Sequence, residues 1–145
     1  MRLAHRVHTS ATAAQVWELL GDPRAWPQFD LLLRRVEGHH APATTGQNLI
    51  AVARFGALRI PVDVVEAVPG HRLVLLVHTA PGIRERVTHE ITTAVRGGCD
   101  LEVSVVVDGL LAPVAAAPLY LVSGLTTRLL AARTEGLARA ARRVA

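Results

Sequence analysis

The sequence predicts an α+β domain in which one antiparallel sheet packs against a single long C-terminal helix. Three observations carry this. Strand-length segments follow one another from residue 31 to residue 108, separated only by short Gly- and Pro-marked breaks, the kind of connection that antiparallel neighbours use. Beyond Pro118 the pattern changes to a helical period. The chain has 145 residues, 50% of them hydrophobic, enough for one domain with a sizeable core and no disulfide or metal to hold it; residues 1–145 are read as that one domain.

Residues 3–9 are compatible with a first strand. Thr12-Ala13-Ala14-Gln15 has the form of a capping box, in which the Thr hydroxyl and the Gln side chain satisfy the free N–H groups of a helix start. Val16, Trp17, Leu19 and Leu20 give that helix an apolar face, and Gly21-Asp22-Pro23 stops it. Residues 24–29 fit one more helical turn around Trp26-Pro27. Six further strands are expected at 31–37, 48–55, 58–68, 72–78, 84–95 and 99–108, making a meander.

The last hairpin can be read in register. If Arg96-Gly97-Gly98 is a three-residue loop, Val95 faces Cys99 and residue 89 faces residue 105. Leu101, Val103, Val105 and Val107 then share an inner face with Val87, His89, Ile91 and Thr93, so His89 points inward. The final helix is expected to start after Pro118, run for about 25 residues (about 37 Å) and bury Val122, Leu125, Leu129, Ala132, Gly136 and Ala140.

Charge and cysteine content narrow the partners. All 16 basic residues are arginine, and up to residue 118 they balance the acidic ones, so the net charge of +4 belongs to the last helix. Arginines near a helix C-terminus oppose the negative end of its dipole, and no basic stripe with interleaved aromatics is present; no nucleic acid is expected. Residues 109–127 are uncharged and nearly long enough to cross a bilayer. Pro113 and Pro118 are expected to interrupt them, so no membrane span is predicted. Cys99 is alone and the N-terminus shows no apolar leader, which predicts a cytoplasmic protein.

Ala14-Gln15-Val16-Trp17-Glu18-Leu19-Leu20-Gly21-Asp22-Pro23, followed by Trp26-Pro27-Gln28-Phe29-Asp30, resembles the opening "VW-x-LL-x-D-x-x-x-W-P-x-W/F" of the START-like, or SRPBCC, superfamily, in its polyketide cyclase/dehydrase and lipid-transport branch. Val68-Pro69-Gly70-His71-Arg72-Leu73 resembles that family's "E-P-G-x-R-L" turn, with Val68 in place of Glu. Gly97-Gly98 and Asp108-Gly109-Leu110-Leu111 resemble its final hairpin and the exit into the long helix. The resemblance spans the chain. It implies a helix-grip fold: a curved, seven-stranded antiparallel sheet wrapped around the C-terminal helix, two short helices after the first strand, and a cavity for an apolar ligand.

Within that frame His89 is the candidate catalytic residue, because an inward imidazole can exchange protons near neutral pH. A core histidine satisfied by one hydrogen bond is the commoner reading of the same position. Val87, Ile91, Val103 and Val105 would line the cavity with it. Trp26, Phe29 and Tyr120 are expected at the entrance, Arg54 at the mouth, and His78 is a further candidate whose direction the strand pattern leaves open. Ser123 lacks a nucleophile-elbow context, and neither His89-Glu90 nor His39-His40 has metal-ligand spacing, so no metal and no cofactor is expected. The resemblance implies a polyketide cyclase or dehydratase that folds a hydrophobic natural-product intermediate. The alternatives are a non-catalytic carrier of a lipid, quinone or other hydrophobic small molecule, and a protein-binding module. A second copy of the chain is a candidate partner.

Overall fold

A computed structural model describes residues 1–38, 42–56 and 58–144. His39 and His40 lie outside the described residues. Strand β1 (Arg2–Thr9) is followed by helix α1 (Ala13–Leu20) and the short 3-10 helix Pro23–Gln28. Strands β2 (Leu33–Glu37), β3 (Asn48–Ala53), β4 (Arg59–Val68), β5 (Arg72–Ala80), β6 (Ile83–Thr93) and β7 (Cys99–Asp108) come next, and helix α2 (Ala112–Val144) closes the chain. The seven strands form one antiparallel sheet in the order β1-β7-β6-β5-β4-β3-β2, a meander whose last strand returns beside the first. This is the helix-grip architecture.

The local causes are those the sequence announces. Thr12 Oγ1 accepts from the Gln15 N–H and the Gln15 side chain accepts from the Thr12 N–H, completing the capping box. Gly21 ends α1 in right-handed geometry, so it is not needed there for a left-handed turn. It is needed for space: a Cβ would sit 2.3 Å from the Trp17 indole nitrogen. Register shifts at Leu33/Arg35, Val64/Glu66 and Val77/Ala80 bend the sheet around its inner face.

Several expectations are corrected. The β6–β7 hairpin pairs Thr93 with Cys99 and His89 with Val103, two residues away from the three-residue-loop register. The loop is longer, Ala94 to Gly98, with both Gly97 (φ 95) and Gly98 (φ 67) left-handed and Val95 fully exposed. A shift of two keeps every side chain on its face, so the inward direction of His89 survives the change.

Helix α2 starts at Ala112, not after Pro118, and runs about 50 Å. Pro113 stands in the first turn, where its missing N–H leaves no bond unmade, and Pro118 lies inside the helix without ending it. The prolines are therefore no bar to a span: by length and hydropathy α2 could cross a membrane. Its packing against β1, β7 and α1 is that of a helix gripped by a sheet.

The buried face of α2 also differs from expectation. Thr127, Leu130, Ala131, Thr134 and Ala138 are buried, while Leu125, Ala132 and Ala140 are exposed. Two threonines face inward because their hydroxyls are satisfied: Thr127 Oγ1 donates to the Ser123 carbonyl (2.7 Å), and Thr134 Oγ1 donates to that of Ala131 (2.8 Å) and meets Thr9 Oγ1 (2.9 Å). The outer face of the sheet carries the charge pairs, among them Arg72 with Glu66 and Glu90, and Arg35 and Arg59 with Glu37.

Candidate functional site

The sheet and α2 do not meet along their whole length. Where the N-terminal half of α2 lifts away, a cavity of about 420 Å³ remains, within the range of small-molecule sites. Its wall is aliphatic: Leu73, Leu75, Val77, Val87, Val103 and Val105 from the inner faces of β5, β6 and β7, closed by Leu119 and Val122 from α2. Trp26 and Phe29 complete the wall from below. Both are buried, so they are inner wall and not the half-wet entrance the sequence predicts. Trp26 Nε1 donates to the Leu20 carbonyl (2.9 Å), which hides its polar edge and turns the ring toward the cavity. The open side is rimmed by Leu32, Phe55 and Leu58, which are 47%, 71% and 61% exposed.

His89 lies on this wall and is buried. Among the described residues its Nδ1 is a buried side-chain nitrogen without a hydrogen-bond partner. Burial holds the imidazole down to about 4, against a smaller opposing effect of the Leu73 backbone, so it is neutral at ordinary pH.

The other predicted ligand contacts divide. Val87, Val103 and Val105 line the cavity with Trp26 and Phe29; Ile91, Arg54, His78 and Tyr120 do not. Ile91 is one inward position further along β6 and is packed into the lower core. The Arg54 guanidinium reaches back to the Leu33 carbonyl (3.5 Å). His78 stands on the opposite face of β5, with Nε2 3.0 Å from Asp63 Oδ2. Tyr120 stacks on His5, ring centroids 4.5 Å apart and tilted by 39°.

Four polar groups of the cavity, Asp30, Thr79, Glu85 and Thr126, are not among the residues the sequence pattern predicts for it, and Ser123, which lacks a nucleophile-elbow context, lines it as well. Glu85 has the same parity as His89 on β6, which was the available signal. Burial, with the Asp30 charge adding, pushes its carboxyl up; a hydrogen bond from Thr79 Oγ1 opposes this. Asp30 is raised as well, by burial first, while the Leu32 N–H and Arg54 act against it. Ser123 Oγ lies 3.1 Å from the Tyr120 carbonyl, to which it donates, and 3.0 Å from His5 Nε2, where the donor depends on the imidazole tautomer. The pair ties α2 to β1. Cys99 is buried, its Sγ donates to the Ala11 carbonyl (3.3 Å), and burial pushes its thiol up, which makes it a poor nucleophile. Among the described residues no three His, Cys, Asp or Glu side chains converge as a metal site would require.

A sheet gripping a helix over an apolar, one-sided cavity is the arrangement of a helix-grip domain. The chain belongs to the polyketide cyclase/dehydrase and lipid transport family, whose profile matches residues 1–144. Its fold is similar to that of jhp0584 from Helicobacter pylori (11% identity, 92% of this chain and 88% of that one, TM-score 0.77). It is also similar to the di-domain aromatase/cyclase StfQ of the steffimycin biosynthetic pathway (15% identity, TM-score 0.75) and to DynU16, encoded in the dynemicin biosynthetic locus (22% identity, TM-score 0.70). The likeness covers 94% and 92% of this chain but only 51% and 47% of those two, about half their length. No curated protein matches the sequence.

Proposed function

We propose that this protein binds a hydrophobic, polyketide-like intermediate in the cavity and promotes its cyclisation or dehydration by positioning and proton transfer. The observation that supports it is the buried, unpartnered Nδ1 of His89 on an otherwise aliphatic wall. A polar atom left without a partner in such a place costs free energy unless a ligand supplies the missing bond. In the tautomer that carries its proton on Nε2, the imidazole offers the unpartnered Nδ1 as a base. It takes a proton from the carbon beside a ligand carbonyl, and the C–H electron pair becomes that of an enolate. The enolate carbon attacks a second carbonyl of the same chain, one C–C bond forms, and the proton returns to the new alkoxide. The ligand is isomerised, so no external oxidant or reductant is consumed; loss of water from the resulting alcohol is the dehydration. The closed wall holds the chain folded for this attack.

The alternative, a carrier that releases its lipid, quinone or other hydrophobic molecule unchanged, is favoured by one observation: among the described residues no carboxylate partners Nδ1 of His89. A cytoplasmic setting belongs to either reading, in keeping with a single free thiol. Native mass spectrometry of the purified protein, before and after incubation with a poly-β-ketone mimic, separates them. The proposal expects a bound mimic to lose the mass of water or to change its fragmentation while keeping its mass, and His89→Phe to bind it without changing it. Equal conversion by His89→Phe removes the imidazole from the mechanism, and recovery of the mimic unchanged from the wild type favours the carrier.

A further inference from the structure

The cavity holds a second anomaly, at some distance from His89. Glu85 precedes it by two inward positions on β6, about 13 Å at the rise of a strand. The residue is buried (8% exposed), lines the cavity, and its carboxyl is fixed by the hydroxyl of Thr79 on the neighbouring strand. Asp30 lines the same cavity and its charge acts on Glu85. Among the described residues neither carboxyl has an arginine within ion-pair distance. The chain has no lysine. Arg54 acts on Asp30 from beyond that distance, but among the described residues no cation acts on Glu85, so beside a like group in an apolar cavity Glu85 does not stay ionised at low cost. The Thr79 hydroxyl accounts for one oxygen of Glu85, Oε1.

We propose that Glu85, steadied by Thr79, is a second polar anchor of the cavity that donates a hydrogen bond to a carbonyl oxygen of the bound molecule. It rests on the reading of the cavity as a site for an apolar ligand. The ligand it defines is long enough to reach from His89 toward Glu85, is apolar between those points, and carries a neutral oxygen acceptor at the Glu85 end. Burial and the nearby Asp30 both favour the protonated carboxyl, which is the donor form. The opposite choice, two ionised carboxylates awaiting a cation, would select an amine.

The test is displacement of the neutral fluorophore N-phenylnaphthylamine from the full chain by three probes of similar length: nonane, methyl heptyl ketone and octylamine. The quantity read is the ratio of the ketone's affinity to the alkane's. One buried hydrogen bond is worth about a tenfold change in that ratio. The ratio is expected to fall about tenfold in Glu85→Leu, which can neither donate nor accept. It should persist in Glu85→Gln, whose amide still donates. Nonane affinity stays constant in both variants if the cavity is intact, which separates loss of the anchor from loss of the fold. A ratio unchanged in Glu85→Leu overturns the anchor, as does octylamine outcompeting the ketone with the preference lost in Glu85→Gln. Absence of saturable fluorophore binding to the wild type overturns the cavity reading itself, a failure distinct from either.

Discussion

At the residue scale the site depends on side chains that hold an unusual state because the wall around them is apolar. His89 is the clearest case. Its folded pKa of about 4 lies below its ordinary 6.5, so between those values the unfolded chain binds the extra proton and the folded chain does not. Stability is therefore expected to fall as pH drops from about 6.5 to about 4, by up to about 3 kcal/mol from this group. His89→Phe removes that component: in urea unfolding at pH 7 and pH 4.5, its loss on acidification should be smaller than the wild type's, and an equal loss would mean the ring is not buried neutral.

Glycines give a second contrast. At Gly98 (φ 67) a Cβ would lie 2.1 Å from the Thr9 carbonyl oxygen, a backbone atom that cannot swing away, whereas at Gly97 (φ 95) it would meet nothing. Gly97→Ala should cost about 1 kcal/mol for the left-handed conformation alone, and Gly98→Ala at least twice that, measured by thermal unfolding. Equal costs would contradict the close approach of the hairpin to the end of β1. Sequence alone marks both as turn glycines; which one another strand touches is a tertiary fact.

At the element scale, legibility followed how strongly a pattern constrains geometry. Parity along β6 and β7 is strict, so the inward His89 was readable even though the hairpin register was not. Two adjacent glycines fit several turns, so the sequence does not select the loop length; in the longer loop that forms, Gly98 lies against the Thr9 backbone. The helix was harder. Residues 109–127 hold no charge to mark an outer face, so periodicity in α2 gave a stripe rotated from the buried one, and Leu121 and Leu125 remain 71% and 47% exposed. Pro118 does not end α2 for a related reason: breaking a bond inside an exposed helical turn costs less than ending a helix that the sheet holds further on. Pro118→Ala restores the N–H bond toward Val114 and should raise stability by about 1–3 kcal/mol. No gain in melting temperature would show that the turn before Pro118 is held by something other than its helical bonds.

At the scale of the whole molecule, the arrangement is a neutral, aliphatic sheet gripping a helix whose far half carries five arginines, with an opening where the near half stands off. The opening was legible only through a family resemblance, because an empty volume is the difference between two surfaces and leaves no mark on either strand pattern. The rim residues Phe55 and Leu58 fall at the limits of two expected strands, 48–55 and 58–68, and nothing in the strand pattern marks them as a rim. The account's central claim is that this volume receives an apolar molecule. Titration of the wild type and of Val105→Trp with N-phenylnaphthylamine tests it most directly, since Val105 lines the cavity and an indole there would fill much of it. The account predicts one saturable site per wild-type chain, and a loss of binding of tenfold or more in a Val105→Trp variant with an unchanged circular dichroism spectrum. Equal binding by both proteins, or no saturable binding by the wild type, would contradict it.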